Sequence, residues 1–293
     1  MPSKCTALKT LIASKMSILM EAHNGISAKI VEETGFSGIW ASGFTMASAL
    51  GLRDANELSW TQVLNNVEHI ADAVGIPVLV DGDTGFGNFN NARRLVRKLE
   101  QRGVAGVCLE DKSYPKANSF SAAHHTLVTT QEFSGKIRAA LDHRVDQDFC
   151  VVARTEALIS GATITEALDR AEAYREAGAH AVLIHSKKAD AAEVLEFARR
   201  WERRTPLIAI PTSYPTTMLD VLSAGGVTTV IWANQLFRGS VLAMRRIARQ
   251  IHEQKSVAAI EGEIASVADI LDLVDTTELL NAERRYGLVR ESQ

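Results

Sequence analysis

The stretch Pro77-Val78-Leu79-Val80-Asp81-Gly82-Asp83-Thr84-Gly85-Phe86-Gly87-Asn88 sets a short run of β-formers directly against two carboxylates and a glycine-rich turn. Two acids at the carboxyl end of a buried strand are costly unless something replaces their lost hydration. A hard divalent cation is one such compensation, held by one or two carboxylates together with substrate oxygens. An Asx-rich turn capping the next helix is the other reading of the same residues. The turn has Asn90 where a GxGxxG pattern needs its third glycine, so it carries no dinucleotide fingerprint.

Outward from this stretch the same grammar repeats. Apolar, β-branched runs at 17–21, 38–41, 77–80, 105–109, 149–153, 181–184, 207–210 and 228–231 predict eight strands. Segments 90–102, 164–177 and 191–201 place apolar residues three or four apart among charges, the period of helices. Gly75, Gly103, Gly178 and Gly225-Gly226 each precede a strand, as helix-ending glycines do. Strand and helix alternating eight times predict an α/β fold of the (β/α)₈ TIM-barrel type, with a doubly wound open sheet as runner-up.

The carboxyl ends of these strands are polar: His23-Asn24, Ser42-Gly43, Asp81 with Asp83, Glu110-Asp111-Lys112, Arg154 with Glu156, His185-Ser186, Thr212, and Trp232 with Asn234. In a barrel they converge on one mouth, where active sites of this fold lie. Asp81, Asp83 and Glu110 then form one acidic cluster, with Asp54 in the long loop after the second strand. Without histidine or cysteine partners the cluster suits Mg²⁺ or Mn²⁺ better than zinc. The opposing possibility is that these acids pair with Arg53, Arg154 or Lys116. Arg154 can hold a phosphoryl or carboxylate group through its fork, or form an ion pair with Glu156 or Glu110. His185 can donate to a substrate oxygen or orient another ligand. Ser42-Gly43 can present backbone N–H groups to a carboxylate. The polar connection 112–130 is long for a βα loop and reads as a lid, with Lys116, Asn118 and Ser119 as its candidate ligands and His124-His125 as an exposed pair.

A net charge of −3 argues against nucleic-acid and anionic-membrane partners, and no apolar run approaches the length of a membrane span. Cys5, Cys108 and Cys150 are too few and too scattered for a disulfide framework. With no signal-peptide pattern at the start, they lead us to expect a cytoplasmic protein. After the barrel, Val267, Ile270, Leu271, Val274, Leu279 and Leu280 predict amphipathic helices whose stripe must be buried, on a partner subunit or on the barrel's own base.

The motifs Gly38-Ile39-Trp40-Ala41-Ser42-Gly43, Asp81 to Asn88, Glu110-Asp111-Lys112, Pro115-Lys116-Ala117-Asn118-Ser119, Ala153-Arg154-Thr155-Glu156-Ala157, His185-Ser186-Lys187-Lys188 and Trp232-Ala233-Asn234 resemble the phosphoenolpyruvate mutase/isocitrate lyase superfamily. They run in family order over nearly the whole chain. The resemblance implies a Mg²⁺-dependent enzyme (Mn²⁺ as a substitute) that interconverts phosphoenolpyruvate and phosphonopyruvate. Phosphonopyruvate hydrolysis is the alternative. The lid lacks the cysteine of the lyase members, and Asn118 stands where hydrolase members tend to have threonine. The resemblance further implies Asp81 as direct metal ligand, with Asp83 and Glu110 acting through water. It implies Asp54, Lys116, Asn118, Arg154 and His185 as catalytic residues, and Trp40, Ser42, Gly43, Phe44 and Ser119 as substrate contacts. The expected organisation is a catalytic barrel over 1–255 and a helical segment over 256–293 exchanged between subunits of a homotetramer built from dimers.

Overall fold

Eight parallel strands close into a barrel in simple sequential order. They are β1 (Ser17–Ala22), β2 (Ile39–Ala41), β3 (Val78–Asp81), β4 (Gly106–Glu110), β5 (Cys150–Thr155), β6 (Ala181–Ile184), β7 (Leu207–Ala209) and β8 (Thr229–Trp232). β1 pairs with β8 from Ser17↔Thr229 to Met20↔Trp232, so the sheet is closed rather than open. The computed structural model describes residues 2–121 and 125–287.

Each expected strand is present within two residues at either end. The difference is systematic: β3, β4 and β5 run on through the charged residues that were expected to follow them. The backbone ladder continues where the side chains turn polar, and the register Glu110↔Arg154 sets an acid beside a guanidinium on adjacent strands. All residues of these three strands are buried, as a sheet covered on both faces requires.

Helices fill the connections and begin on residues suited to capping. Ser59 and Gln62 form a capping box at Trp60–Asp72, and Asn88 with Asn91 does the same at Phe89–Glu100. The Asp-Gly-Asp stretch is therefore followed by a helix cap at Asn88, but its two acids are not the capping groups. Gly82 between them is dictated by packing: a Cβ there would lie 2.5 Å from Val107 and 3.1 Å from the Cys108 carbonyl on β4. Helix Lys4–Ala13 covers the amino-terminal ends of the strands, burying Leu8 and Ile12, while Lys4 Nζ donates to the carbonyls of Ala71 and Val74. The three cysteines are free and buried.

Two units are distinguished along the chain, Met1–Phe237 and Arg238–Gln293, the division falling inside helix Gln235–Gln254. The second unit carries the rest of that helix, then Val267–Leu273 and Thr276–Tyr286. Its apolar stripe is exposed, from 45% at Ile270 and Leu271 to 77% at Val267. Among the described residues no helix is long and apolar enough to cross a membrane.

Candidate active site

The carboxyl-terminal ends of the strands deliver two linked clusters of buried charge. Asp81 and Asp83 come from the end of β3, and the Asp83 N–H donates to Asp81 Oδ1 at 3.3 Å. Lys116 from the lid reaches down to Asp83 Oδ1 and Asp54 Oδ1, both at 2.7 Å. Asn118 Nδ2 donates to the other oxygen of Asp54 at 2.6 Å. The backbone of Gly43 abuts the same acids, since a Cβ there would lie 3.2 Å from Asp83 Oδ1 and 3.3 Å from Asp81 Oδ2. Ser42 caps the helix Gly43–Ala49 with its side chain accepting from the Thr45 N–H.

The second cluster is built around Glu156. Its carboxylate accepts from Arg154 Nε at 2.6 Å and Ser119 Oγ at 2.5 Å, and pairs with Lys112 Nζ at 2.9 Å. Arg154 Nη2 also reaches Ser119 Oγ at 3.2 Å. His185 Nδ1 lies 2.9 Å from both Arg154 Nη2 and Glu156 Oε1, a donor and an acceptor, so the tautomer decides which of them it serves. Its Nε2 is buried without a partner. Glu110 is 1% exposed and neither of its oxygens has a hydrogen bond. Its nearest cations are Arg154 Nε at 3.4 Å and Lys112 Nζ at 3.8 Å.

The electrostatics follow from this crowding. Burial pushes the Asp83 carboxyl up to about 7 against the pull of Lys116, with Asp81, Asp54 and Glu110 adding to the rise. Burial works against the Lys116 ammonium, yet Asp83 and Asp54 hold it well above its usual range. Glu156 is held well below the usual carboxylate range despite burial, by Arg154, His185 and Lys112. Burial lowers the His185 imidazole against the pull of Glu156, with Arg154 adding to the fall. The first cluster is thus short of positive charge, which a divalent cation would supply. Among the described residues no three His, Cys, Asp or Glu side chains converge as a preformed metal cage. The donors present suit a hard cation held by one or two carboxylates that keeps much of its water, as Mg²⁺ does.

Of the residues expected at the site, Asp54, Asp81, Asp83, Glu110, Lys116, Asn118, Ser119, Arg154 and His185 come together with Ser42-Gly43. Trp40 is buried in the apolar core, and Phe44 is half-buried in the first turn of its helix. Arg154 and Lys116 do form the ion pairs weighed from the sequence, whereas Arg53 pairs with Glu57 in its own loop. His125 is buried, not exposed, and His124 lies outside the described residues. The two legs of the lid are tied together by an isolated Lys112–Leu127 bridge and by the Ser113 N–H on the Thr126 carbonyl.

Neither Asn56 nor Asp111 is marked by the sequence pattern as a site residue. Asp111 sits behind the second cluster: its Oδ1 accepts from the Glu156 N–H at 2.8 Å, and its Oδ2 accepts from Tyr174 Oη at 2.7 Å and Thr155 Oγ1 at 3.1 Å.

Fold and site together define the class: a closed (β/α)₈ barrel with buried charge gathered at its carboxyl-terminal mouth. The sequence profile of the phosphoenolpyruvate phosphomutase family matches residues 8–252, and the chain belongs to that family. It is 50% identical over 285 residues to the phosphoenolpyruvate phosphomutase of Tetrahymena pyriformis, spanning 97% of this chain and 95% of that one. Among solved structures, a phosphoenolpyruvate phosphomutase from Streptomyces platensis subsp. rosaceus superposes with a TM-score of 0.94 at 40% identity, covering 97% of this chain and 99% of that one. A phosphonopyruvate hydrolase complexed with oxalate and Mg²⁺ superposes at 0.92 with 38% identity, over the same shares of the two chains.

Proposed function

We propose that this chain is a phosphoenolpyruvate mutase, interconverting phosphonopyruvate and phosphoenolpyruvate with Mg²⁺ that Asp81 would hold directly and Asp83 and Glu110 through water. The observation that carries the proposal is the juxtaposition of two opposite needs under one lid. The acid cluster lacks positive charge, while Arg154 and the unpartnered His185 Nε2 lie alongside it. A substrate with a pyruvyl end and a phosphoryl end answers both. Mn²⁺ is the expected substitute for Mg²⁺. When bound, the metal supplies Lewis-acid stabilisation of the pyruvate enolate.

In the carbon-to-oxygen direction one phosphorus–carbon bond breaks and one phosphorus–oxygen bond forms, with no net proton or electron exchanged. Such a loose, metaphosphate-like transfer asks the protein chiefly to hold two fragments still and spread negative charge. Arg154, the Asn118 amide and a proton on His185 Nε2 are the donors for the phosphoryl oxygens. The Ser42-Gly43 backbone, which abuts Asp81 and Asp83, frames the pyruvyl part. Asp54 steadies Lys116 and Asn118, and Ser119 carries the lid onto Glu156, so water is shut out while the enolate turns. No covalent phosphoenzyme is required. The exposed stripe of the C-terminal unit supports exchange of that segment between subunits of a tetramer, and three free cysteines support a cytoplasmic setting. Light scattering tests the assembly: a stable monomer would exclude it.

Purified protein given phosphonopyruvate should yield phosphoenolpyruvate with little free phosphate in a ³¹P NMR time course. Asn118→Ala should slow it by roughly 10²-fold, about 3 kcal/mol of transition-state stabilisation. Inorganic phosphate as the main wild-type product from the earliest points would replace the mutase reading with the hydrolase.

A further inference from the structure

Asn56 touches the lid and the acid cluster at once. Its Oδ1 accepts from the Lys116 main-chain N–H at 2.6 Å, and its Nδ2 donates to Asp83 Oδ2 at 2.9 Å. We infer that Asn56 is a positioning residue that clasps the lid segment 112–121 over the acid cluster, gripping its main chain while anchored on Asp83. The inference rests on the lid and site reading above and names a part in it for a residue with no other assignment.

The loop that presents Asn56 is shaped by its own contacts. The Arg53 N–H donates to Glu57 Oε2 at 2.8 Å, and the Ala55 N–H donates to the Arg53 carbonyl at 2.9 Å. Within that turn Asn56 has φ of 57°, the left-handed region that asparagine tolerates better than most side chains. Three polar links then join this loop to the lid. Two run from Asp54 to the side chains of Lys116 and Asn118. The third, from Asn56, takes the lid's backbone, so it fixes the lid's height whatever rotamers the lid side chains adopt.

Only a primary amide serves both contacts. The carbonyl oxygen is needed for the Lys116 N–H, and the NH₂ is needed for the Asp83 carboxylate. An aspartate keeps the first and turns the second into a facing pair of carboxylates. Glycine keeps the turn without strain and removes both. In either case the lid should lift more often, and water should reach the phosphoryl fragment before it is recaptured.

Asn56→Gly and Asn56→Asp in the full chain test this with two readouts. Limited trypsin digestion with mass-spectrometric mapping reads lid opening as cleavage after Lys112 and Lys116. Both variants should be cut there roughly tenfold faster than wild type, the shift expected from losing about one hydrogen bond's worth of closure. In ³¹P NMR with phosphonopyruvate, the phosphate share of product should rise and kcat should fall more than KM changes. Wild-type cleavage rates in both variants would overturn the inference. So would cuts spread over the whole barrel in both, since Asn56 would then be holding the fold and not the lid. The protease readout does not depend on the reaction. If wild type itself releases phosphate, the mutase reading fails while the clasp is still judged.

Discussion

The two ends of the barrel handle charge in opposite ways. At the mouth, Asp83, Lys116, Arg154 and Glu156 are buried and answer one another directly. At the base the contacts lie near solvent: Lys9 pairs with Asp148 at 2.7 Å with the two side chains 47% and 33% exposed. An exposed pair contributes roughly 0–1 kcal/mol, whereas removing one partner of a buried pair leaves an uncompensated charge costing about 3–5 kcal/mol. Stability alone would not keep such an arrangement at the mouth, where apolar side chains of similar volume would serve as well or better. Among the described residues the buried ion pairs gather at the mouth, which separates the end that works from the end that holds.

The sharpest way to break this contrast is to remove the mouth's missing positive charge. EDTA should abolish turnover, and Mg²⁺ or Mn²⁺ should restore it. Asp81→Ala should lose activity by roughly 10³-fold or more with no rescue by modest added metal, because a direct ligand is gone. Asp83→Ala should be rescued in part. Full activity in metal-free buffer would mean that the acids at the mouth are structural, like those at the base.

Acid should move the two ends in opposite directions. His180, just before β6 at the base, accepts from the Val151 N–H, and burial with Arg144 nearby pushes it down to about 4. A base depressed on folding binds fewer protons in the native state, so its contribution is lost as pH falls from its usual value of 6.5 toward about 4. Asp111, pushed up to about 6 by burial, works the other way and gains stability on the same descent. Between pH 7 and 5, unfolding free energy of wild type should fall by about 2 kcal/mol relative to His180→Gln, the Asp111 gain being common to both. Equal losses in the two proteins would remove His180 as the base's acid-sensitive group.

How much of this contrast could be read beforehand depended on distance along the chain. The strands, and with them Asp81, Glu110 and Arg154 at their ends, show in local pattern, because a buried parallel strand is a short apolar run with a polar stop. Asn56 could not show. Its partners lie 27 and 60 residues away, and nothing in the loop 52–58 signals a side chain aimed at another loop. Glu156 was visible only as a counter-ion for Arg154. That it also gathers Ser119, Lys112 and His185 depends on the lid folding back, which no periodicity encodes. The tail's amphipathic stripe was legible as a pattern, but a pattern says that a face needs cover without saying by what.

The smallest expected effect closes the comparison from the side of the base. Lys9 Nζ and Thr6 Oγ1 both reach the Asp148 carboxylate at 2.7 Å and hold it below its usual range. The group is largely solvated, and salt screens it. Lys9→Ala should therefore leave the unfolding free energy close to that of wild type, and kcat and KM for phosphonopyruvate unchanged. Raising ionic strength should shrink even that difference. A several-fold fall in kcat from Lys9→Ala, with the fold intact, would show that strain at the base is felt at the mouth, and the division of labour between the two ends would have to be withdrawn.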